Sequence, residues 1–305
     1  MNKSLISAAI ISAMGLLGTA QAADTAPVIN GLVEVEITAD SIAASTVGLG
    51  ISKQVNDMVS AEMSLLYEGA TTDIDTASIT IAPQTGGWHI TTGQFYIPFG
   101  SFNSNMISDP ITLEMAETGA NALQIGYEDS GFAISAYTAA GATSLDTMGA
   151  NINYNYEKDS TRFVIDLGYT NNLGKSAGIS ADLVTDAVIG QSVMAMVEMD
   201  GFSLVYENIA AATAFTSGTL LTGNMPIATN IEMAYGFDLG GKETTVAIAA
   251  QTSEGANDLF AKNRNLFTIS SMIMQGTSLS LEYMQETDYA SVITSAITAK
   301  LAVEF

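Results

Sequence analysis

A two-residue alternation of apolar and polar side chains, repeated in many short segments, restricts the fold of this chain more than any other feature. In residues 277–285, Leu279, Leu281 and Tyr283 alternate with polar residues such as Ser280. A period of two indicates a β-strand that has one face against an apolar medium and one face against a polar one. The alternation therefore predicts an all-β chain.

Sixteen segments of this kind follow one another along the chain. Beyond residue 22 no run of about 18 apolar residues occurs, which excludes membrane-spanning helices, although mean hydropathy is +0.28. Strands that hide apolar character by alternation are typical of a transmembrane antiparallel β-barrel, here of about 16 strands. The predicted strands are 28–37, 42–52, 58–68, 73–82, 88–97, 119–127, 132–139, 147–156, 162–170, 190–199, 202–211, 230–238, 243–252, 262–274, 277–285 and 296–305.

The connections between these segments support an even strand number. Every second link is short, and all the long links belong to the other set. Bacterial barrels show the same alternation between tight periplasmic turns and longer external loops. The long links are 98–118, 171–189, 212–229, 253–261 and 286–295. A soluble β-sandwich is the alternative, but isolated Glu and Asp on one strand face would be costly in a closed dry core. We predict that residues 23–305 form one barrel domain.

The N-terminus resembles a secretory signal. Lys3 supplies a basic start, Leu5 to Leu17 is a short apolar stretch, and Ala20 to Ala22 fits an A-x-A cleavage site. We predict that residues 1–22 are removed by cleavage near Ala22, and that the mature chain enters the outer membrane of a Gram-negative cell. The last strand ends on the aromatic Phe305, the signal read by the barrel assembly machinery, so this machinery and outer-membrane lipid are the expected partners.

The composition also excludes several functions. The chain has 32 acidic and 9 basic residues, so we expect no nucleic-acid partner, because binding phosphates requires a basic face. It has no cysteine, and His89 is its single histidine. Transition-metal sites and hydrolytic centres draw on these residue types. We therefore predict no catalytic residues, no metal and no cofactor, with His89 as a residue of the barrel wall.

The polar strand faces would line the barrel lumen, and they are rich in carboxylates. Unpaired carboxylates are costly in a dry interior, whereas sixteen strands can enclose a water-filled channel. The pattern predicts a channel that favours cations; the alternative is a hydrated acidic interior that a loop closes. The predicted lumen carboxylates are Glu34, Glu36, Glu62, Asp166, Glu207, Glu232 and Glu282.

The link at 98–118 is too apolar for a segment that is simply solvated. It follows the fifth strand, where the third external loop of sixteen-stranded porins folds into the lumen and narrows it. The resemblance implies a constriction here; the alternative is a lid packed on the barrel rim. The candidate constriction residues are Phe99, Phe102, Asp109, Glu114 and Glu117.

A second resemblance covers residues 93–118. Gly93 to Phe102, followed by Met106 to Glu114, resembles the signature of the LbtU-type siderophore porins. This resemblance implies an outer-membrane barrel associated with uptake of an iron chelator. Two functions remain open at this point: a porin-like channel for an iron chelate or another small solute, and a non-conducting surface barrel whose external loops bind a partner.

Overall fold

The computed structural model describes residues 26–69, 71–83, 87–140 and 145–305. The predicted signal peptide and its cleavage site at Ala22 lie outside these residues. Within the described residues, sixteen antiparallel strands close into a single barrel in which the first strand pairs with the last. The strands are β1 Val28–Ile37, β2 Ile42–Asn56, β3 Val59–Tyr67, β4 Thr72–Ile81, β5 Trp88–Tyr96, β6 Gly119–Asp129, β7 Phe132–Ala140, β8 Leu145–Lys158, β9 Thr161–Thr170, β10 Gly190–Met199, β11 Phe202–Ala211, β12 Ile227–Asp238, β13 Glu243–Glu254, β14 Asn263–Met274, β15 Thr277–Thr287 and β16 Ile293–Glu304.

The prediction of an antiparallel barrel of about sixteen strands is confirmed, and each predicted strand overlaps one observed strand. Among the differences, β2 extends to Asn56 instead of 52 and β12 begins at Ile227 instead of 230. Both extensions pair with a neighbouring strand, β2 with β3 and β12 with β11. Main-chain hydrogen bonds thus continue the strands beyond the point at which side-chain alternation weakens.

Both ends of the barrel can be distinguished by their connections. One end, called here the short-turn end, carries tight turns such as Ser130–Gly131 and Asp200–Gly201, whose residues all have positive φ. Two-residue turns of this kind match the right-handed twist of the strands that they join. The other end, called the long-loop end, carries the links 97–118, 171–189 and 212–226.

The two faces of the sheet differ as the alternation predicts. On β12, Ile231, Met233 and Tyr235 are exposed on the outer face, whereas Glu232 and Ala234 are buried on the inner face. An apolar outer band with a polar interior is the arrangement that barrels adopt when lipid surrounds them.

Two short helices lie in the long links, α1 at Ile111–Ala116 and α2 at Ala177–Ser180. Pro110 precedes α1 with an extended backbone, and every α1 residue except Glu114 is buried. In the part of the chain that the structure describes, no helix is long and apolar enough to cross a membrane. Instead, α1 packs against β11 to β13, and α2 packs against α1.

Candidate functional site

The segment between β5 and β6, residues 97–118, folds into the barrel and is called here the inner loop. Its two ends are joined by a hydrogen bond from the amide of Ile97 to the carbonyl of Thr118, at 3.0 Å. Phe99 is 2% exposed and its ring lies against Gly168 of β9 and Gly190 of β10. A Cβ atom at Gly168 or Gly190 would come within about 3 Å of that ring. The two glycines therefore make room for the loop on the wall that β9 and β10 form.

Three glutamates of the wall hold the backbone of the inner loop. Glu207 of β11 accepts hydrogen bonds from the amides of Ser101 and Phe102 at 2.8 and 3.1 Å. Its other oxygen accepts the hydroxyl of Thr112 at 2.7 Å. Hydrogen bonds from amides to a carboxylate are stronger than those between neutral groups. Glu207 therefore fixes two separate points of the loop.

A glutamate on each of two further strands binds residues that come later in the inner loop. Glu232 of β12 accepts the amide and the side-chain nitrogen of Asn105 at 2.7 and 2.8 Å. Glu282 of β15 accepts the amide of Ile107 at 2.6 Å and the hydroxyl of Ser108 at 2.5 Å. Glu207, Glu232 and Glu282, called here the wall glutamates, are 1 to 2% exposed. Loop amides surround them, which differs from the water-filled surroundings that the sequence predicts.

Arg264 of β14 is the cationic partner of the loop. Its guanidinium contacts Glu114 of α1 at 2.9 Å and Glu286 of β15 at 2.6 Å. It also donates to the main-chain carbonyl of Asp109 at 2.8 Å. Because the Arg264 side chain is 8% exposed, it needs both carboxylates to offset the loss of hydration. Arg264 thereby ties the first turn of α1 to the wall.

The candidate constriction residues Asp109 and Glu117 are both buried. Among the described residues, neither carboxylate oxygen of Asp109 has a hydrogen-bond partner. Burial raises the pKa of the Asp109 carboxyl well above its usual range, and the nearby charges of Glu114, Glu117 and Glu68 raise it further. Burial also raises the pKa of Glu114, although Arg264 opposes this effect. Asp109 is consequently neutral over part of the pH range in which ordinary aspartates are ionised.

We expect the stability of the barrel to fall with increasing pH because of Asp109. Its folded-state pKa exceeds the ordinary 3.8, so the unfolding free energy decreases by about 1.4 kcal/mol per pH unit between those two pKa values. Asp109→Asn removes this dependence and stabilises the protein at neutral pH. Melting curves from pH 4 to pH 9 measure how the stability depends on pH, and Asp40→Asn, at an exposed position, is the control. Parallel profiles for Asp109→Asn and the unmodified protein would contradict the expectation.

The other predicted lumen carboxylates lie on β1 and β3. On β1, Glu34 is buried and pairs with Lys300 of β16 at 2.9 Å. Glu36 of β1 and Glu62 of β3 are partly exposed, and Glu62 accepts the hydroxyl of Ser78 at 3.0 Å. Glu36 and Glu62 therefore keep contact with water, which Glu34 and the carboxylates beneath the loop do not.

The remaining predicted residues lie at the edge of the inner loop. Asp166 of β9 is buried and accepts the side-chain amides of Asn151 and Asn153 at 2.8 and 3.0 Å. Phe102 is half-buried and has a positive φ of 53°. It packs against an apolar cluster at the long-loop end, which is described next. The predicted residues thus divide into those that are beneath or within the loop and the two that stay partly exposed, Glu36 and Glu62.

An apolar cluster at the long-loop end has no counterpart in the sequence prediction. It joins α1 to the links 171–189 and 212–226, and Asp182 of the first link accepts the amides of Leu220 and Leu221 of the second. Its most deeply buried members include Ile111, Met115, Leu173, Ile179, Phe215 and Leu221. The cluster therefore packs α1 and the two links together at this end of the barrel.

His89 lies on the inner face of β5, where its ring covers Gly126 of β6. Across the described ranges, no group of three or more histidine and acidic side chains is arranged to hold a metal ion. The geometry of the interior is thus that of an acidic, loop-narrowed barrel.

The amino-acid sequence of this barrel is similar to that of several proteins. No protein-family model matches the chain. It is similar to a UPF0422 protein of Coxiella burnetii, with 25% identity over 264 residues that cover 77% of this chain and 57% of the relative. It is also similar to UPF0422 protein lpp3030 of Legionella pneumophila, with 24% identity over 66% of this chain and 43% of that protein. The chain thus spans about half the length of the curated relatives that it matches.

Solved outer-membrane proteins share the fold. The outer membrane channel DcaP of Acinetobacter baumannii has a TM-score of 0.65 and 13% identity, covering 93% of this chain and 100% of its own. OprB of Pseudomonas putida has a TM-score of 0.64 and 10% identity, covering 92% and 94%. OmpF of Salmonella typhi has a TM-score of 0.60 and 12% identity, covering 92% and 97%. None of the proteins named here is called a siderophore porin, so that resemblance stays a prediction.

Proposed function

We propose that this protein is an outer-membrane channel that passes small solutes and favours cations. The observation that carries the proposal is the inner loop, which the wall glutamates hold inside a closed sixteen-stranded barrel while Glu36 and Glu62 on β1 and β3 stay partly exposed. A loop that occupies part of a lumen narrows the path without removing it. The apolar outer face and the shared fold with outer-membrane channels support the location.

The preference for cations follows from the charges along the path. The chain has 32 acidic and 9 basic residues. Glu36 of β1 and Glu62 of β3 keep contact with water, while the cation of Lys300 is already paired with Glu34. Acidic side chains in a narrow passage concentrate cations and repel anions. In the same way, Glu114 and Glu117 are proposed to contribute negative potential at the constriction.

Neutralising the constriction will reduce the cation preference of the channel. The triple substitution Asp109→Asn, Glu114→Gln and Glu117→Gln removes negative charge from the inner loop and should move the reversal potential in a KCl gradient towards zero. The measurement is a planar-bilayer recording of the purified protein. A matched control removes three aspartates from exposed links, Asp40→Asn, Asp57→Asn and Asp159→Asn, and should leave the reversal potential unchanged.

Two results would overturn the proposal in different ways. Anion preference of the unmodified channel would refute the selectivity. Absence of any conductance from correctly folded protein would refute the channel itself, and would favour a surface barrel whose external loops bind a partner.

The solute remains a separate part of the proposal. Uptake of an iron chelate rests on the resemblance of residues 93–118 to siderophore porins. If that resemblance extends to function, deletion of the protein will slow growth when iron is limiting, and growth will recover when the protein is restored. Unchanged growth of the deletion strain would reject the iron-chelate role without affecting the channel.

A further inference from the structure

A cavity of about 260 Å³ lies between the tip of the inner loop and the wall near the short-turn end. Residues 104–107 of the loop form one side, and β1 with β13 to β16 form the other. The loop tip is fixed there because Glu232 and Glu282 hold Asn105 and Ile107. The cavity is therefore a built feature of the lumen and does not depend on a free loop.

An incompletely bonded ion pair lies on the cavity wall. The ammonium of Lys300 contacts one oxygen of Glu34 at 2.9 Å, and the two side chains are 13% and 6% exposed. Within the described part of the chain, the second oxygen, Oε2, of Glu34 is buried and has no hydrogen-bond partner. A buried acceptor without a partner is unfavourable, and an ammonium has three donors to offer. A ligand with donor and acceptor groups side by side could bond to both residues.

The rest of the wall favours a neutral, hydroxylated ligand. Ser270, Ser278 and Ser280 contribute hydroxyls, and Ser280 donates to Ser270 at 2.8 Å. Each hydroxyl can both donate and accept, and the Glu34–Lys300 pair carries no net charge. Leu32 and Met106 add an apolar surface of the kind that the carbon–hydrogen face of a sugar ring can cover. The volume lies just below the range of about 300–1,000 Å³ usual for ligand pockets, which limits the ligand to a small molecule.

We propose that this cavity is a binding subsite for a neutral polyhydroxylated solute of monosaccharide size. The carboxylate of Glu34 accepts one solute hydroxyl, Lys300 donates to a neighbouring one, and the serines bond to the remainder. The inference rests on the proposed channel, since the solute enters through the lumen. The subsite lies between the inner loop and the short-turn end, and a solute that occupies it obstructs the path.

The test is the block of ionic current by D-glucose, with glycine as a zwitterionic probe at equal concentration. Glucose added at the short-turn side should reduce the current, and glycine should not. The double variant Glu34→Gln/Lys300→Gln removes both charges together and should weaken the glucose block by about tenfold, as expected when a hydrogen bond to a charged group is lost. Ser203→Ala, on β11 away from the cavity, is the matched control and should retain the block. Heat-modifiable migration in gels verifies that both variants are folded.

A second variant guards against failure of the first to fold. Ser270→Ala/Ser280→Ala leaves the ion pair intact and should also weaken the glucose block. Current that is insensitive to glucose would refute the subsite while leaving the channel in place, and a stronger block by glycine would refute the neutral-solute assignment. Calorimetry on the protein in detergent separates the two proposals: glucose binding without conductance would retain the subsite and reject the channel.

Discussion

Replacing Glu207, Glu232 and Glu282 together by alanine will release the inner loop and raise the single-channel conductance. These residues accept hydrogen bonds from five main-chain amides of the loop, which are those of Ser101, Phe102, Asn105, Ile107 and Ser108. Each hydrogen bond to a charged group contributes about 1.5–3 kcal/mol, so the loop loses most of what fixes it. The conductance should approach that of a sixteen-stranded barrel without an obstruction.

The matched control for this variant replaces the same three residues by glutamine. Glutamine keeps an oxygen that can accept the loop amides, and it keeps nearly the same volume. The glutamine variant should therefore retain more of the loop structure and a conductance closer to that of the unmodified channel. Limited proteolysis within residues 98–110 gives an independent readout, because a released loop is cut faster. Equal conductance and equal cleavage in all three proteins would show that the wall glutamates do not fix the loop.

Arg264→Met will destabilise the barrel far more than the removal of a cation from an exposed ion pair. The substitution leaves Glu114 and Glu286 beside each other without their shared cation. Breaking a buried ion pair by removing one partner costs about 3–5 kcal/mol; the carboxylates are 24 and 26% exposed, so the lower part of that range applies. Chemical denaturation of the folded protein in detergent measures the change.

The chain supplies its own control for this experiment. Arg162 and Glu198 form an ion pair at 3.3 Å in which both side chains are 41% exposed. Exposed pairs contribute about 0–1 kcal/mol, so Arg162→Met should change the stability far less than Arg264→Met. Equal losses would mean that burial of the Arg264 network has no energetic consequence. Adding Glu114→Met and Glu286→Met to Arg264→Met should restore much of the stability, since no unpaired charge then remains.

The fold could be predicted from sequence because each strand carries its own signal. Leu279, Leu281 and Tyr283 reveal the outward face of β15 without reference to any other segment. Strand number and strand order follow in turn, since antiparallel neighbours joined by short turns leave few alternatives. The least alternating strand, β2, shows the limit, because pairing on both sides sets its length.

The interior was predicted less completely, and the reason is physical. The sequence indicates that Glu207 and Glu232 share the inner face, but not what meets them. Their partners are main-chain amides of Ser101 and Asn105, and nearly every residue has an amide, so no residue pattern reveals this contact. The apolar cluster at the long-loop end is equally hidden, because Leu173 and Phe215 meet α1 only after the barrel has formed.

The pairing of β1 with β16, called here the closing seam, has a consequence for the order in which the barrel assembles. Gly31 and Phe305 exchange two main-chain hydrogen bonds, at 2.8 and 3.1 Å, and the neighbouring pairs run from Leu32–Glu304 to Ile37–Ala299. Every other pair of neighbouring strands is also consecutive in the chain. Hairpins can therefore form one after another during assembly, whereas the seam forms only when β16 reaches β1. Until then the growing sheet keeps two unsatisfied edges, and a factor that covers them would protect the sheet from pairing with another chain.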